Sequence, residues 1–304
     1  MAISRTQLVK ELEPGLNALF GLEYKRYENQ HAEIYVTESS DRAFEEEVML
    51  SGFANAQTKA EGSGVAFDSA QETYTARYTH DTIALAFAIT EEAIEDNLYD
   101  RISSRYTKAL ARSMSNAKQV KAVTPLIDGL PSTDSFDSGD GVSLFNTAHT
   151  TVSGTNVKNT LTTQADLNET SLEQSLIDIA AMTDERGLRI AARGVKMIIP
   201  SANQFTAERL MKSQGRTGTA DNDINAIGSM GMIPQGYRVN NYLTDSDAFY
   251  IITDVPNGMK MFQRAPLKTA MEGDFDTGNV RYKARERYSF GVSDYRGIFG
   301  VEGA

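Results

Sequence analysis

Leu8, Leu12, Leu16 and Leu19 recur at helical spacing and predict a helix over residues 4–20. Pro14 and Gly15 fall inside it, and a break or kink is expected there because proline removes a helical N–H. Residues 21–48 show no clear period, are rich in Tyr and Glu, and end in Glu45-Glu46-Glu47. Such a segment is expected to lie as an arm across something else. Residues 49–89 read as β structure. The stretch from Lys59 to Gly64 has turn composition between two strand-like runs and predicts a long hairpin with a polar tip. Ile83, Leu85, Phe87 and Ile89 then alternate with Ala84, Ala86 and Ala88, the pattern of a strand buried on at least one face.

Residues 90–122 carry the clearest helical pattern. Ile94, Leu98, Ile102, Tyr106, Leu110 and Met114 form one apolar stripe, and Thr90 is the expected N-cap. Glu91, Glu92, Glu95 and Asp96 precede Lys108, Arg112, Lys118 and Lys121, an order that complements the helix dipole. Residues 127–165 are rich in Gly, Ser, Thr, Asp and Asn and predict a long loop with a few short strands. A helix over 171–186 follows, with Thr170/Glu173 or Ser171/Gln174 as capping box and Gly187 as C-cap. Residues 195–199 predict a buried strand ended by Pro200. Ser201 with Gln204 predicts a cap for a third helix, reaching about Lys212. Short strands near 237–243 and 248–253 and longer ones over 260–301 complete an α+β order without regular βαβ alternation.

Composition narrows the functions open to this chain. It has 304 residues, no Cys and three His, at 31, 80 and 149. Disulfides and thiolate chemistry are excluded, and the His match no metal-ligand spacing. Thirty basic against 41 acidic residues give a formal charge of −11, which disfavours sequence-specific nucleic-acid binding and anionic membranes. No run approaches a membrane span, and the N-terminus lacks the apolar region of a signal peptide.

Asp221, Asp223 and Asn225 open like an EF-hand loop, but Ala226 and Met232 stand where Gly and Glu are required. No metal or cofactor site is expected. There is no phosphate-binding glycine motif and no nucleophile elbow, so no catalytic residues are assigned. Arg281, Lys283, Arg285 and Arg287 alternate with Val280, Tyr282 and Ala284. On a strand the four cations share a face. Ion pairing with acidic neighbours, in the same or another subunit, is favoured over nucleic acid at this net charge.

Four stretches carry a resemblance that spans nearly the whole chain: ELEPGLNALFGLEY (11–24), ALAFAITEEAIEDNLYDRI (84–102), SLFNTAHTTVSG (143–154) and VRYKARERYSFGVSDYRGIFG (280–300). In this order the chain resembles the major capsid proteins of tailed bacteriophages, which have the HK97 fold, and is most similar to the Mu-like head subunits.

The resemblance implies an N-terminal arm (1–48), an E-loop hairpin (49–82), a peripheral domain with a spine helix (83–126), an axial domain (127–255) and returning peripheral strands (256–304). It implies a non-enzymatic shell subunit that forms hexamers and pentamers around double-stranded DNA, in the virion and, during assembly, in the host cytoplasm. A separate scaffold protein is expected, since no long scaffolding domain precedes the arm. A portal protein, a decoration protein and non-specific contact with packaged DNA complete the expected partners. Intersubunit contacts are expected at Lys59 and Glu61, at Asp221, Asp223 and Asn225, and at Arg281, Lys283, Arg285 and Arg287. The alternatives are an encapsulin-like compartment and a small-oligomer α+β enzyme or binding protein.

Overall fold

The computed structural model describes residues 5–90, 92, 99–215, 223–274 and 278–304. Helix α1 spans Arg5–Arg26, followed by a 3-10 turn at Gln30–Glu33. Strands β1 (Val36–Ser39), β2 (Phe44–Leu50), β3 (Glu72–Thr79) and β4 (Asp81–Ile89) lead to the long helix α2, Tyr99–Asp128. A loop region follows with two short strands, β5 (His149–Thr150) and β6 (Asn156–Val157). Then come α3 (Glu169–Ala181), β7 (Gly194–Ile199), α4 (Gln204–Lys212), α5 (Ala226–Met230), β8 (Tyr237–Val239) and β9 (Phe249–Thr253). The chain closes with β10 (Met259–Gly273), β11 (Val280–Val292) and β12 (Ile298–Val301).

Two four-stranded sheets organise the molecule, in the orders β1-β10-β11-β4 and β12-β9-β7-β8. In the first, β10 and β11 form a long antiparallel pair, β1 joins β10 in parallel, and β4 pairs antiparallel with β11. The β10 register slips between Ala265 and Lys268, where Pro266 stands. Proline has no N–H for the ladder, so a bulge is its natural place in a sheet. α1 and α2 cover one face of this sheet through Leu16, Phe20, Leu110, Ala111, Met114, Tyr282 and Ala284.

The second sheet is apolar on both faces. Met197, Ile198, Ile199, Phe249, Tyr250, Ile251, Ile298, Phe299 and Val301 are wholly buried, and Leu172 and Ile179 of α3 and Ala207 of α4 pack into the same core. Each such large side chain contributes about 1.5–3 kcal/mol by leaving water. The far half of α2, at Ala122, Val123 and Leu126, enters this core too. One helix thus serves both large hydrophobic clusters.

Several local expectations are corrected. α1 does not break at Pro14 but runs through it to Arg26. α2 ends at Asp128 rather than 122 and contains Pro125. Its last turn therefore holds no basic residue. Lys118 and Lys121 serve as ion-pair partners of Glu286 and Asp81 instead of complementing a helix end. The expected first turns at 91 and 93–98, with Glu91, Ile94, Glu95, Asp96 and Leu98, lie outside the described residues. Tyr106 does not extend the buried stripe: it is half exposed, against Phe87 at 5.8 Å between ring centroids.

The cap of α3 is Asn168, whose side chain accepts from Ser171 N–H while Ser171 Oγ accepts from Asn168 N–H at 3.0 Å. α3 stops at Ala181, so Gly187 is not its C-cap. Gly187 instead turns the following loop at φ 81°, its N–H donating to Asp184. A 3-10 turn at Ser201–Asn203 leads into α4, and neither has a side-chain cap. No helix among the described residues is long and apolar enough to cross a membrane.

Candidate assembly surfaces

β2 and β3 form a two-stranded hairpin outside both sheets. Its ladder starts at Phe44 paired with Thr79, five residues before the expected hairpin boundary. Beyond Leu50 and Glu72 the limbs have no ladder, and every residue from 52 to 72 is exposed. Asp68 Oδ2 ties the limbs together by accepting Ala54 N–H at 2.7 Å. The tip turns at Glu61-Gly62, with Gly62 at φ 75° and Ser63 N–H donating to Ala60 at 3.2 Å. Lys59 and Glu61 are therefore at the tip, exposed, as the turn composition predicts. The limbs also expose apolar groups: Phe53 (61%), Val65 (68%) and Phe67 (98%).

The hairpin joins the body through two short links, and both meet at His80. Ser40 Oγ lies 2.9 Å from His80 Nε2 and donates to Glu45 Oε1 at 2.6 Å, and His80 Nδ1 lies 3.0 Å from Ser289 Oγ on β11. Burial, and then the cations Arg287 and Arg264 against the carboxylate of Glu45, hold His80 below the usual imidazole range. Lys260 of β10 reaches the hairpin as well, at 2.5 Å from Glu47. Sequence reasoning missed this junction, because its members are single residues scattered over 250 positions with no motif spacing.

The four alternating cations do share a face. Arg281, Lys283, Arg285 and Arg287 stand opposite Ala88, Ala86, Ala84 and Thr82 of β4, on the side away from α1 and α2. Lys283 and Arg285 are exposed, and Arg281 pairs with Asp274. Between them Glu286 points the other way, into the body, where it accepts from Lys118 Nζ at 3.2 Å. Burial pushes the Glu286 carboxyl up despite Lys118.

Of the predicted loop residues, Asp221 lies outside the described residues. Asp223 is exposed beside the bridge Gly215–Ile224 that closes the loop. Asn225 is a correction to the surface assignment: it is buried, its Nδ2 donating to Leu210 O at 2.7 Å and Ser213 O at 3.1 Å, and its Oδ1 caps α5. Nothing of it is left for a partner. Phe205 on α4, Ile224 beside Asn225 and Met230 on α5 are exposed.

The interior holds no reactive constellation among the described residues. His149 is fully buried and stacks on Tyr295 at 3.8 Å. Its Nδ1 lies 2.5 Å from Asp140 Oδ2. Its Nε2 lies 3.1 Å from Asn159 Oδ1, while Asn159 Nδ2 donates to the carbonyls of Leu144 and Tyr295. Burial pushes the Asp140 carboxyl up, but the hydrogen bond and charge of His149 outweigh it and hold it low. Arg296 nearby bonds Glu185 at 2.6 Å, Asp294 at 3.2 Å and the Thr183 carbonyl at 2.8 Å. Apart from the Tyr295 hydroxyl, which has no hydrogen-bond partner among the described residues, these polar groups face structural partners, and the group fastens the 127–165 loop to the C-terminal strands. No cluster of three metal-ligating side chains occurs among the described residues.

The model for phage capsid protein matches residues 72–301, three quarters of the chain. The chain belongs to the phage capsid protein family. It is a structural subunit of a phage head with an HK97-like α+β fold. Solved structures share this fold at low sequence identity. Mycobacterium phage Patience is 11% identical, with TM-score 0.57 over 99% of this chain and 89% of that one. The capsid of Myoviridae phage XM1 is 10% identical, with TM-score 0.54 over 89% and 90%. The capsid of an empty GTA particle is 14% identical, with TM-score 0.52 over 90% and 89%. No curated protein matches this capsid protein in sequence.

Proposed function

We propose that this capsid protein assembles as hexamers and pentamers into a closed icosahedral shell around double-stranded DNA and performs no catalysis. The observation that carries the reading is the hairpin. A subunit alone gains nothing by holding Phe53, Val65 and Phe67 in water. Burying each on a neighbouring copy returns roughly 1.5–3 kcal/mol, spread over many repeated contacts of modest strength. Residues 1–43 serve as the arm, 44–79 as the E-loop, the first sheet with α2 as the peripheral domain, and the second sheet with its helices as the axial domain. The charge of −11 limits adhesion to the packaged DNA, because phosphate contacts dominate non-specific affinity. A scaffold protein guides assembly in the host cytoplasm, a portal protein occupies one vertex, and a decoration protein binds outside.

Negative-stain electron microscopy of the purified protein, alone and with its scaffold, tests this. Closed shells, or rings of five and six, are the expected result. A persistent monomer or dimer under both conditions would sink it.

A further inference from the structure

The first sheet ends on one side in β4, and that edge is bare. Among the described residues β4 pairs only with β11, and no other backbone bond reaches residues 82–89. An edge strand leaves alternate N–H and C=O groups facing outward, and proteins usually blunt such edges with Lys, Pro or a bulge. Here the stretch TIALAFAI from Thr82 to Ile89 has no charge, no Pro and no Gly, and its register with β11 is unbroken. The other edge strands of the two four-stranded sheets, β1, β8 and β12, have four residues or fewer, and β10, which β1 covers only at 260–263, is interrupted beyond that by Arg264, Pro266, Lys268 and its bulges. Apolar surface beside β4 is also uncovered, with Leu85 45% and Tyr106 52% exposed.

The same chain holds a matching segment. Residues 63–70 of the hairpin have no ladder partner of their own. Val65 and Phe67 are two residues apart, so on a strand both face one way while Ala66 and Asp68 face the other. We propose that residues 64–68 of a second copy add to β4 as a fifth strand. Val65 and Phe67 then cover Leu85 and Tyr106 on the helix side. Asp68 turns to the side that carries Lys283 and Arg285. The contact rests on the assembly reading above and specifies how the hairpin is held: by a shared ladder as well as by apolar burial. Pairing of β4 with β4 of another copy is the competing arrangement, but it leaves Val65 and Phe67 in water.

The chain has no Cys, so introduced ones report alone. Val65→Cys or Phe67→Cys, each combined with Ile83→Cys, Leu85→Cys or Phe87→Cys, covers the possible registers. In oxidised, assembled shells at least one combination is expected to give chains of linked subunits on a non-reducing gel, with none from the single variants. Dimers from Leu85→Cys alone would show β4 pairing with itself and overturn the proposal. Closed shells with no cross-link in any combination overturn it too, while leaving assembly intact.

Hydrogen exchange on the unmodified protein gives a second readout. Amides of 64–68 and 82–89 should exchange at least ~tenfold more slowly in shells than in unassembled subunits. Unchanged exchange in both segments overturns the contact whatever the variants do. If the unmodified protein forms no shells at all, the assembly reading itself fails, and the contact falls with it.

Discussion

His31 shows how one buried side chain sets a pH dependence. Gln119 grips it at both ends: Nε2 donates to His31 Nδ1 at 3.0 Å, and Oε1 accepts the His31 backbone N–H at 2.9 Å. Burial, and then the charge of Lys118, bring its pKa down to about 4. Between pH 6.5 and 4 the unfolded chain takes up a proton that the folded one refuses. Stability is therefore complete above the ordinary imidazole pKa and falls by about 3 kcal/mol as the pH drops to 4. Thermal melts of unassembled protein from pH 7 to 4 should show this slope, and His31→Gln should flatten it.

The Lys118–Glu286 pair beside it makes a different prediction. Both side chains are nearly or wholly buried, so Lys118→Met strands a carboxylate and should cost about 3–5 kcal/mol in urea unfolding. The double variant Lys118→Met, Glu286→Leu should recover most of that. No recovery would mean the pair is not coupled. None of this was legible in the sequence. Lys118 reads as the basic end of a helix and Glu286 as one acid in a basic run, and only the fold brings residues 168 positions apart within reach.

At the scale of elements, the core strands are legible in the sequence, while β1, the start of β2 and the helix limits are not. The alternation of 83–89 and the apolar run of 195–199 each match a strand of the sheets. Pro14 and Pro125 are ordinary stop signals, yet both sit inside helices. Local propensity lost to packing there. Leu16 and Phe20 after the first proline, and Leu126 after the second, are buried against the two cores and outweigh one missing hydrogen bond. The hairpin tip was readable from composition, but its base was not, because Phe44-Glu45-Glu46-Glu47 looks like a solvated acidic run.

A sharper element-level constraint lies where the turn before β10 crosses the turn before β12. A Cβ on Gly297 would stand 2.3 Å from Gly258 Cα, a backbone atom that cannot step aside. Gly297→Ala should separate these turns and destabilise the subunit by about 3 kcal/mol. A urea midpoint equal to that of the unmodified protein would show that the crossing is looser than described.

For the whole molecule, folding and assembly are separable. Residues 52–72 of the hairpin contribute nothing to either large core. Replacing residues 53–68 with a short turn should leave the melting temperature of the subunit within a few degrees while abolishing shells in micrographs. A large loss of melting temperature would show that the hairpin belongs to the fold.

The long helix has a mechanical consequence. With one half in each core, its 30 residues act as a beam of about 45 Å that carries angle from one end of the subunit to the other. A tilt of one degree at its root displaces its far end by about 0.8 Å, roughly half the rise of one residue. Curvature imposed at one sheet therefore reappears at the other as displacement, with little lost to bending between them.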